Sequence, residues 1–340
     1  MHWLENNWYH PTRLQLILVP VSVVFRALSA LRRAMYRNGM LTSEQLLLPV
    51  VVVGNISVGG TGKTPLTLAL AEQLRERGYR PLIVSRGYTR NSGSRFGGGR
   101  RSTWPRQVSA GSDPRVTGDE PLLMARRDIC PVWIGRDRVA TARAAQQAHP
   151  ECDIILCDDG LQHYRLRRDA EIAVIDGVRR FGNGRLLPAG PLREPLARLE
   201  SVDAVVVNGG ATEPGQFAMT LAGQVFYNLA DPGKTAGPEY FQAMRNHAVA
   251  GIGHPQRYFK HLEGLGITFT PHEFPDHHPY RAGDLAFADC DAVLMTEKDA
   301  VKCAPFADGR FWALRVDARI DATLLDHILR KIEPHGRQTA

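Results

Sequence analysis

The segment Val50-Val51-Val52-Val53-Gly54-Asn55-Ile56-Ser57-Val58-Gly59-Gly60-Thr61-Gly62-Lys63-Thr64 decides the fold of this 340-residue chain. An apolar, β-branched run enters a glycine-rich turn that ends in Gly-Lys-Thr, and a helical pattern of leucines and alanines follows. A strand, a phosphate-binding loop and a helix in this order are typical of a P-loop. The sequence therefore predicts that the chain binds a nucleoside triphosphate.

The residue types in this loop predict which atoms hold the nucleotide. Its glycines let successive backbone N–H groups converge on phosphate oxygens, and the helix N-terminus adds positive potential. We expect Lys63 to reach the β- and γ-phosphates and Thr64 to place its hydroxyl on Mg²⁺. Ser57 stands where the common motif has its first glycine. The predicted nucleotide-binding residues are Ser57, Val58, Gly59, Gly60, Thr61, Gly62, Lys63 and Thr64.

Two acidic pairs follow elements that the pattern predicts. Asp158 and Asp159 come directly after the apolar run Ile154–Cys157, where a Walker B acid holds Mg²⁺ directly or through water. A helix cap would use the same residues, so this alternative stays open. Asp119 and Glu120 form the second pair, which by itself is an ordinary helix start.

Two further segments carry chemistry-bearing side chains. The sequence Phe274-Pro275-Asp276-His277-His278-Pro279-Tyr280 places two histidines in a proline-rich turn, which indicates positioned rather than packed rings. A metal site would need more ligands than the nearby His272 supplies. The segment Thr296–Lys302 is densely charged where a helix should begin, and a solvated helix face explains it equally well.

Strand and helix patterns alternate along the chain, which predicts an α/β fold with a mostly parallel sheet covered on both faces. We expect an N-terminal membrane-interface helix in residues 1–40, a P-loop domain in 41–210, and a smaller α/β domain in 211–335 that closes over the nucleotide. Residues 89–115 are rich in Gly, Ser and Arg and predict a mobile loop. Later strands are expected at Ile172–Ile175, Ala204–Val207, Gln224–Leu229, His247–Gly251 and Ala292–Thr296, and helices at Glu120–Arg127, Arg136–His149 and Gln256–Leu265.

The first 37 residues combine five arginines and one glutamate with tryptophans and the apolar run Leu14–Phe25. This run is shorter than the roughly 20 apolar residues of a membrane span, and no small-residue cleavage site of a signal peptide follows it. The composition favours a helix lying in the membrane interface with its arginines near anionic lipids. Packing on the protein's own core is the alternative. The sequence shows no basic platform with interleaved aromatic residues, so it does not predict a nucleic-acid partner.

Together these segments resemble the tetraacyldisaccharide 4′-kinases of lipid A biosynthesis. The shared motifs occur in the family's order over roughly residues 40–303, and that family's pattern allows Ser57 in the P-loop. The motifs are Gly54–Pro65, Ser85-Arg86-Gly87-Tyr88, Gly118-Asp119-Glu120-Pro121, Asp158-Asp159-Gly160-Leu161-Gln162-His163, Leu187–Pro195, Phe274–His278 and Thr296–Lys302.

The resemblance implies transfer of the γ-phosphate of ATP to the 4′-hydroxyl of a tetraacyl glucosamine disaccharide 1-phosphate, with Mg²⁺. It also implies work at the cytoplasmic face of the bacterial inner membrane, without an obligatory protein partner. Asp119 and His277 match the family's catalytic pair, and His278 is the alternative to His277. The implied roles are catalysis for Asp119, His277 and Lys63, metal binding for Thr64, Glu120, Asp158 and Asp159, and acceptor binding for Asn183, Arg193 and Glu194.

Two other functions remain to be weighed against the lipid kinase. A membrane-cycling P-loop ATPase would use the N-terminal helix but would need no acid–base pair in a second domain. A soluble small-molecule kinase would have no use for residues 3–37.

Overall fold

The computed structural model describes residues 8–9, 13–87 and 105–332, and the fold is given for these residues. Their thirteen strands form one sheet. The strands are β1 Val50–Gly54, β2 Pro81–Ser85, β3 Arg106–Val108, β4 Val132–Ile134, β5 Ile154–Asp158, β6 Ala170–Asp176, β7 Ala204–Asn208, β8 Phe217–Asn228, β9 Thr235–Ala236, β10 Asn246–Ala250, β11 Phe269–Glu273, β12 Ala292–Thr296 and β13 Phe311–Ile320. The helices are α1 Arg13–Arg37, α2 Lys63–Glu76, α3 Pro114–Thr117, α4 Asp119–Arg126, α5 Arg138–Ala148, α6 Pro255–Gly264, α7 Glu297–Cys303 and α8 Leu324–Ile332.

The strand order places the P-loop strand near the middle of the sheet. It runs β11-β10-β12-β13-β8-β7-β6-β1-β5-β2-β4-β3, with β9 paired to β8. Strand β1 lies between β5 and β6 and is parallel to both. Because the carboxyl ends of parallel strands meet at one edge, the segments after β1, β5, β6 and β7 all converge there.

Strand β1 is buried on both faces, as a continuous apolar run in a parallel sheet should be. Val51 and Val53 pack against leucines of α2 and α8, while Val50 and Val52 pack on the side of α5. The alternation follows from the two-residue period of a strand. This double packing fixes the position from which the P-loop leaves the sheet.

The part of the chain after residue 216 continues the same sheet. Strand β8 pairs parallel with β7 at its start and antiparallel with β13 along most of its length. Helices α6 and α7 then cover opposite faces of β10, β12 and β13. The expected mostly parallel α/β sheet is confirmed, and both halves of the chain contribute to it.

Some predicted bounds were wrong. The strand expected at Gln224–Leu229 is the second half of the longer β8. Its antiparallel partner β13 lies beyond the last segment for which we predicted an element from the sequence. Within the loop expected at 89–115, residues 106–108 pair with β4 as β3, and α3 begins at Pro114. The remainder of that loop, up to residue 104, lies outside the described residues.

Helix α1 is longer than the apolar run that predicted it. Residues Gln15–Arg37 are long and apolar enough to cross a membrane by length and composition. One side contacts the protein: Ser22 Oγ donates to Leu186 O and accepts from Ala189 N, both at 2.9 Å. The other side exposes large apolar side chains, namely Leu16, Ile17, Val21, Val23, Val24, Leu28 and Leu31.

Candidate active site

The P-loop has a backbone shape that only small residues permit at two positions. Gly59 and Gly62 have φ angles of 105° and 97°, in the region that glycine adopts without strain. A Cβ on Gly62 would also lie 2.6 Å from Asn208 Nδ2. Asn208 itself, at the end of β7, donates to Thr61 O at 3.0 Å. Asn208 therefore fixes the loop at Thr61 from the end of β7.

The acidic pair predicted after β5 lies beside the P-loop lysine. Lys63 Nζ is 3.6 Å from Asp159 Oδ1, and Arg193 Nη1 approaches the same oxygen to 3.2 Å. Burial favours a raised pKa for Asp159, but the charges of Lys63 and Arg193 outweigh it and hold the pKa at about 2. Asp159 is thus ionised and pairs with the cations of Lys63 and Arg193.

Asp158 has the opposite electrostatics. It is buried at the end of β5, where Ser85 Oγ donates to it at 3.1 Å. Burial, followed by the nearby charges of Glu120 and Asp159, raises the pKa of Asp158 to about 7. The charge of Lys63 offsets this rise only in part, and a divalent cation bound at this carboxyl group would supply further positive charge.

These residues fit a metal ion that arrives with a nucleotide. In the part of the chain that the structure describes, no three His, Cys, Asp or Glu side chains already form a metal site. Mg²⁺ normally takes one or two carboxylates together with phosphate oxygens and water, so a complete protein cage is not required. Thr64, Glu120, Asp158 and Asp159 remain the predicted ligands.

Asp119 and His277, which are 158 positions apart, are in contact. His277 Nδ1 lies 2.9 Å from Asp119 Oδ2 and 3.1 Å from Oδ1. Asp119 is buried as the first residue of α4, and His277 lies in the loop after β11. The neighbouring His278 instead lies 3.3 Å from Asp284. The structure therefore brings His277, rather than His278, to Asp119.

The charges of this pair reinforce each other. Burial would raise the pKa of Asp119, but the hydrogen bond from His277 and the charge of Lys298 outweigh it and lower the pKa to about 2. The same hydrogen bond raises the pKa of His277. Asp119 is therefore a fully ionised carboxylate at neutral pH, with a histidine fixed on it.

The three predicted acceptor residues have different surroundings. Arg193 faces the site through its contact with Asp159. Glu194 is buried and accepts hydrogen bonds from Gln162 and Tyr164, and Asn183 bonds within its own turn to Ala189 O and Arg185 N. Asn183 and Glu194 thus shape the loop that presents Arg193.

Sequence reasoning missed several residues that the fold brings to this edge. Asn208 ends β7 beside the P-loop, and Arg179 Nη2 donates to Gly60 O at 3.0 Å. Lys298 and Lys302 of α7 lie near Asp119 and Glu120. Asn208 could have been found by the rule that selected Asp158, because it also follows an apolar strand. The lysines carried no such signal.

The loop that carries Arg193 is anchored by buried charges, which leads to a stability prediction. Arg198 is buried with Glu171, at 2.6 Å, and with Glu194, at 3.4 Å. Arg198→Met leaves both carboxylates without this partner, so we expect a loss of about 3 kcal/mol in the free energy of unfolding, measured with urea. Arg245→Met, at the exposed pair with Asp291, is the control and should lower the free energy of unfolding far less, because exposed pairs contribute little. Equal effects would contradict the prediction.

Comparisons with known proteins agree on one family. The family model described as tetraacyldisaccharide-1-P 4′-kinase matches residues 14–333. The tetraacyldisaccharide 4′-kinase of Methylobacillus flagellatus is 48% identical over 97% of this chain and 96% of its own length. That of Alkalilimnicola ehrlichii is 53% identical over 89% of this chain and 88% of its own.

A solved structure extends the likeness to three dimensions. The crystal structure of LpxK from Aquifex aeolicus in complex with ATP has a TM-score of 0.76 and 29% identity, and the match covers 94% of this chain and 99% of that one. The resemblance that the motifs predicted is thereby confirmed. This chain belongs to the tetraacyldisaccharide-1-P 4′-kinase family.

Proposed function

We infer that this chain is an ATP-dependent lipid kinase of lipid A biosynthesis. It transfers the γ-phosphate of ATP to the 4′-hydroxyl of a tetraacyl glucosamine disaccharide 1-phosphate. The observation that carries this function is the contact of Asp119 with His277 at 2.9 Å, in a P-loop protein of this family. An ATPase that only cycles on membranes has no need for such a pair.

The first requirement of phosphoryl transfer is alignment, and the P-loop supplies it. Backbone N–H groups of residues 57–64 hold the phosphates, and Lys63 exchanges its contact with Asp159 for the β- and γ-phosphates. We assign Mg²⁺ to Thr64, Glu120, Asp158 and Asp159; when bound, it neutralises charge on the phosphate oxygens. Arg193, already beside Asp159, balances the remaining negative charge.

Asp119 receives the proton of the attacking hydroxyl. A bond forms between the 4′-oxygen and the γ-phosphorus, the bond to the bridging oxygen breaks, and ADP leaves with that electron pair. The proton passes to the Asp119 carboxylate, which is ionised and held in place by His277. A weak carboxylate base suits this chemistry, since kinase active sites use an aspartate in the same way.

The acceptor reaches the site from a lipid surface. A four-chained lipid leaves a bilayer with difficulty, because each buried methylene contributes about 0.8 kcal/mol. Helix α1 and the family together indicate membrane association. We propose that α1 lies in the interface at the cytoplasmic face of the inner membrane, with Arg193 near the acceptor's headgroup and without an obligatory protein partner.

We further propose that the chain works in three parts, residues 1–40, 41–210 and 211–335. The third part carries His277, and its approach to Asp119 completes the site and excludes water. This proposal is supported by the Asp119–His277 contact, which joins the second and third parts. Exclusion of water matters because a water molecule in the hydroxyl's place would hydrolyse ATP.

The test is transfer of labelled γ-phosphate from ATP to a tetraacyl disaccharide 1-phosphate in mixed micelles. We expect labelled lipid and ADP in equal amounts. ATP hydrolysis without labelled lipid would instead support the membrane-cycling ATPase. Equal activity with a water-soluble sugar and no lipid would support the soluble kinase.

The exposed side of α1 gives a separate prediction. Val24→Ser combined with Leu28→Ser removes two large, exposed apolar side chains, and each lost buried methylene weakens lipid binding by about 0.8 kcal/mol. We expect reduced flotation with anionic vesicles and an unchanged melting temperature. Val178→Ser, at an exposed valine outside α1, is the control and should leave flotation unchanged. Unchanged flotation of the α1 variant would contradict the interfacial position.

A further inference from the structure

The charged segment Thr296–Lys302 has no role in the reaction as described, yet it lies against the catalytic pair. Helix α7 packs against α4. Arg127, just after α4, lies 2.8 Å from Glu297 at the start of α7. Lys302, near the end of α7, lies 4.0 Å from Asp119 at the start of α4.

We propose that Asp299 and Lys302 are positioning residues that set the geometry of the Asp119–His277 pair. This inference rests on the proposed catalytic roles of Asp119 and His277. Asp299 acts through Gly251 on the loop that carries His277, and Lys302 lies beside Asp119. In this proposal neither residue touches the nucleotide or the acceptor.

The contacts form a closed path through five residues. Lys302 Nζ lies 2.8 Å from Asp299 Oδ1, and Asp299 Oδ2 accepts from Gly251 N at 3.1 Å. Gly251 O in turn accepts from His277 N at 3.2 Å. His277 returns to Asp119 through its ring, and Asp119 lies beside Lys302. A displacement of Asp299 therefore moves both members of the catalytic pair.

The backbone of His277 needs such support. Its φ angle is 59°, a left-handed conformation that residues with a side chain adopt only when their surroundings hold them there. Gly251 lets the backbone approach closely, since a Cβ there would lie 2.5 Å from Tyr280 Oη and 3.0 Å from Asp299 Oδ1. The loop is thus fitted to Asp299 at Gly251, the residue whose carbonyl oxygen accepts from the His277 backbone N–H.

A second lysine supports the same arrangement from outside the path. Lys298 Nζ lies 3.2 Å from Glu120 Oε1 and 3.3 Å from Asp276 Oδ1. It joins the residue after Asp119 to the residue before His277. Without this lysine the two carboxylates would face each other, so Lys298 helps to hold the two loops together.

Burial of the Asp299–Lys302 pair argues for positioning rather than stability. Asp299 is fully buried and Lys302 is nearly so. Buried ion pairs add little stability compared with neutral residues of similar size, whereas removal of one partner leaves a buried charge and is destabilising. A protein that keeps such a pair beside its catalytic residues gains defined geometry from it.

The experiment compares the single variant Lys302→Met with the double variant Asp299→Asn/Lys302→Met. We expect the single variant to melt at a lower temperature, and the double variant to regain much of that loss because Asp299 no longer leaves an unpaired buried charge. The kcat should nevertheless stay about 10- to 100-fold below wild type in the double variant, because a misplaced catalytic group costs this much. The KM for ATP should remain within about twofold, since the P-loop is untouched.

The ring of His277 gives a direct spectroscopic readout. In protein labelled with ¹⁵N-histidine, we expect the Nδ1 signal of His277, identified with His277→Ala, to shift in the double variant. The matched control is Asp203→Asn/Lys331→Met, a more exposed pair at 3.5 Å, which should leave kcat and this signal unchanged.

Recovery of both kcat and melting temperature in the double variant would overturn the proposal, because a purely structural pair predicts that they recover together. If the double variant does not fold, Lys302→Arg replaces it, and a wild-type kcat would again overturn the proposal. Full activity of Asp119→Ala would refute the proposed function itself, whereas an inactive Asp119→Ala enzyme beside a double variant with wild-type kcat would refute the positioning role alone.

Discussion

Lys63→Ala is expected to lower kcat for phosphoryl transfer by about 10²- to 10³-fold, the loss typical of removing one preorganised charge or donor from the reacting group. In the structure Lys63 lies at the start of α2, 3.6 Å from Asp159. It therefore lies beside the proposed metal ligands, where we place the γ-phosphate. The measurement is initial-rate transfer of labelled phosphate to the lipid acceptor.

The contact of Lys63 with Asp159 affects the interpretation of the Lys63→Ala result. Loss of Lys63 leaves Asp159 with Arg193 as its contacting cation among the described residues, so ATP binding should weaken as well. Lys331→Ala, on α8, is the matched control and should keep full activity and a wild-type melting temperature. A Lys63→Ala enzyme with more than about a tenth of the wild-type kcat would contradict the assignment, because removal of a lysine that contacts the γ-phosphate should lower kcat by more than this.

Asp119→Asn is the second substitution with a large expected effect, about 10²- to 10⁴-fold in kcat, the range for loss of a general base. The amide keeps the size of the side chain but cannot accept the hydroxyl proton. ATP binding, followed by titration calorimetry, should change little because Asp119 belongs to α4 and not to the P-loop.

The control for Asp119 is Asp326→Asn, an exposed residue on α8 that pairs with Arg77. It should leave kcat unchanged. His277→Ala should lower kcat less than Asp119→Asn, because in the proposed mechanism His277 orients the carboxylate and does not take the proton. Weakened ATP binding with a normal kcat in Asp119→Asn would show that Asp119 is a metal ligand and not the base.

The sequence predicted the centre of the fold well because its signals there are local. A run of four valines, a glycine-rich turn and Gly-Lys-Thr lie within 15 consecutive residues, so strand, loop and helix follow without tertiary information. Strand β13 was missed because its pattern is ordinary and its partner, β8, lies about 90 residues earlier. Pairing over that distance is decided by the folded sheet and not by the segment itself.

The site was predictable where a motif stood next to a strand and unpredictable where two distant surfaces meet. Asp158 ends β5 and Asp159 follows it, and their place at the carboxyl edge follows from the parallel sheet. The contact of Asp119 with His277 came only from the family resemblance, since no spacing rule joins residues 158 positions apart. Lys302 lies in a motif shared with the family, but the resemblance implied no role for it, and its charge suggested a solvated helix face.

The attachment of α1 to the loop that carries Arg193 has a kinetic consequence. Ser22 bonds that loop at Leu186 and Ala189, and Pro191 O of the same loop accepts from the P-loop at Val58 N, at 2.8 Å. While α1 rests on lipid, the catalytic groups therefore stay within reach of that surface. We expect turnover to follow the mole fraction of acceptor in the lipid surface rather than its bulk concentration. Dilution of the acceptor with inert detergent at constant total acceptor should then slow the enzyme.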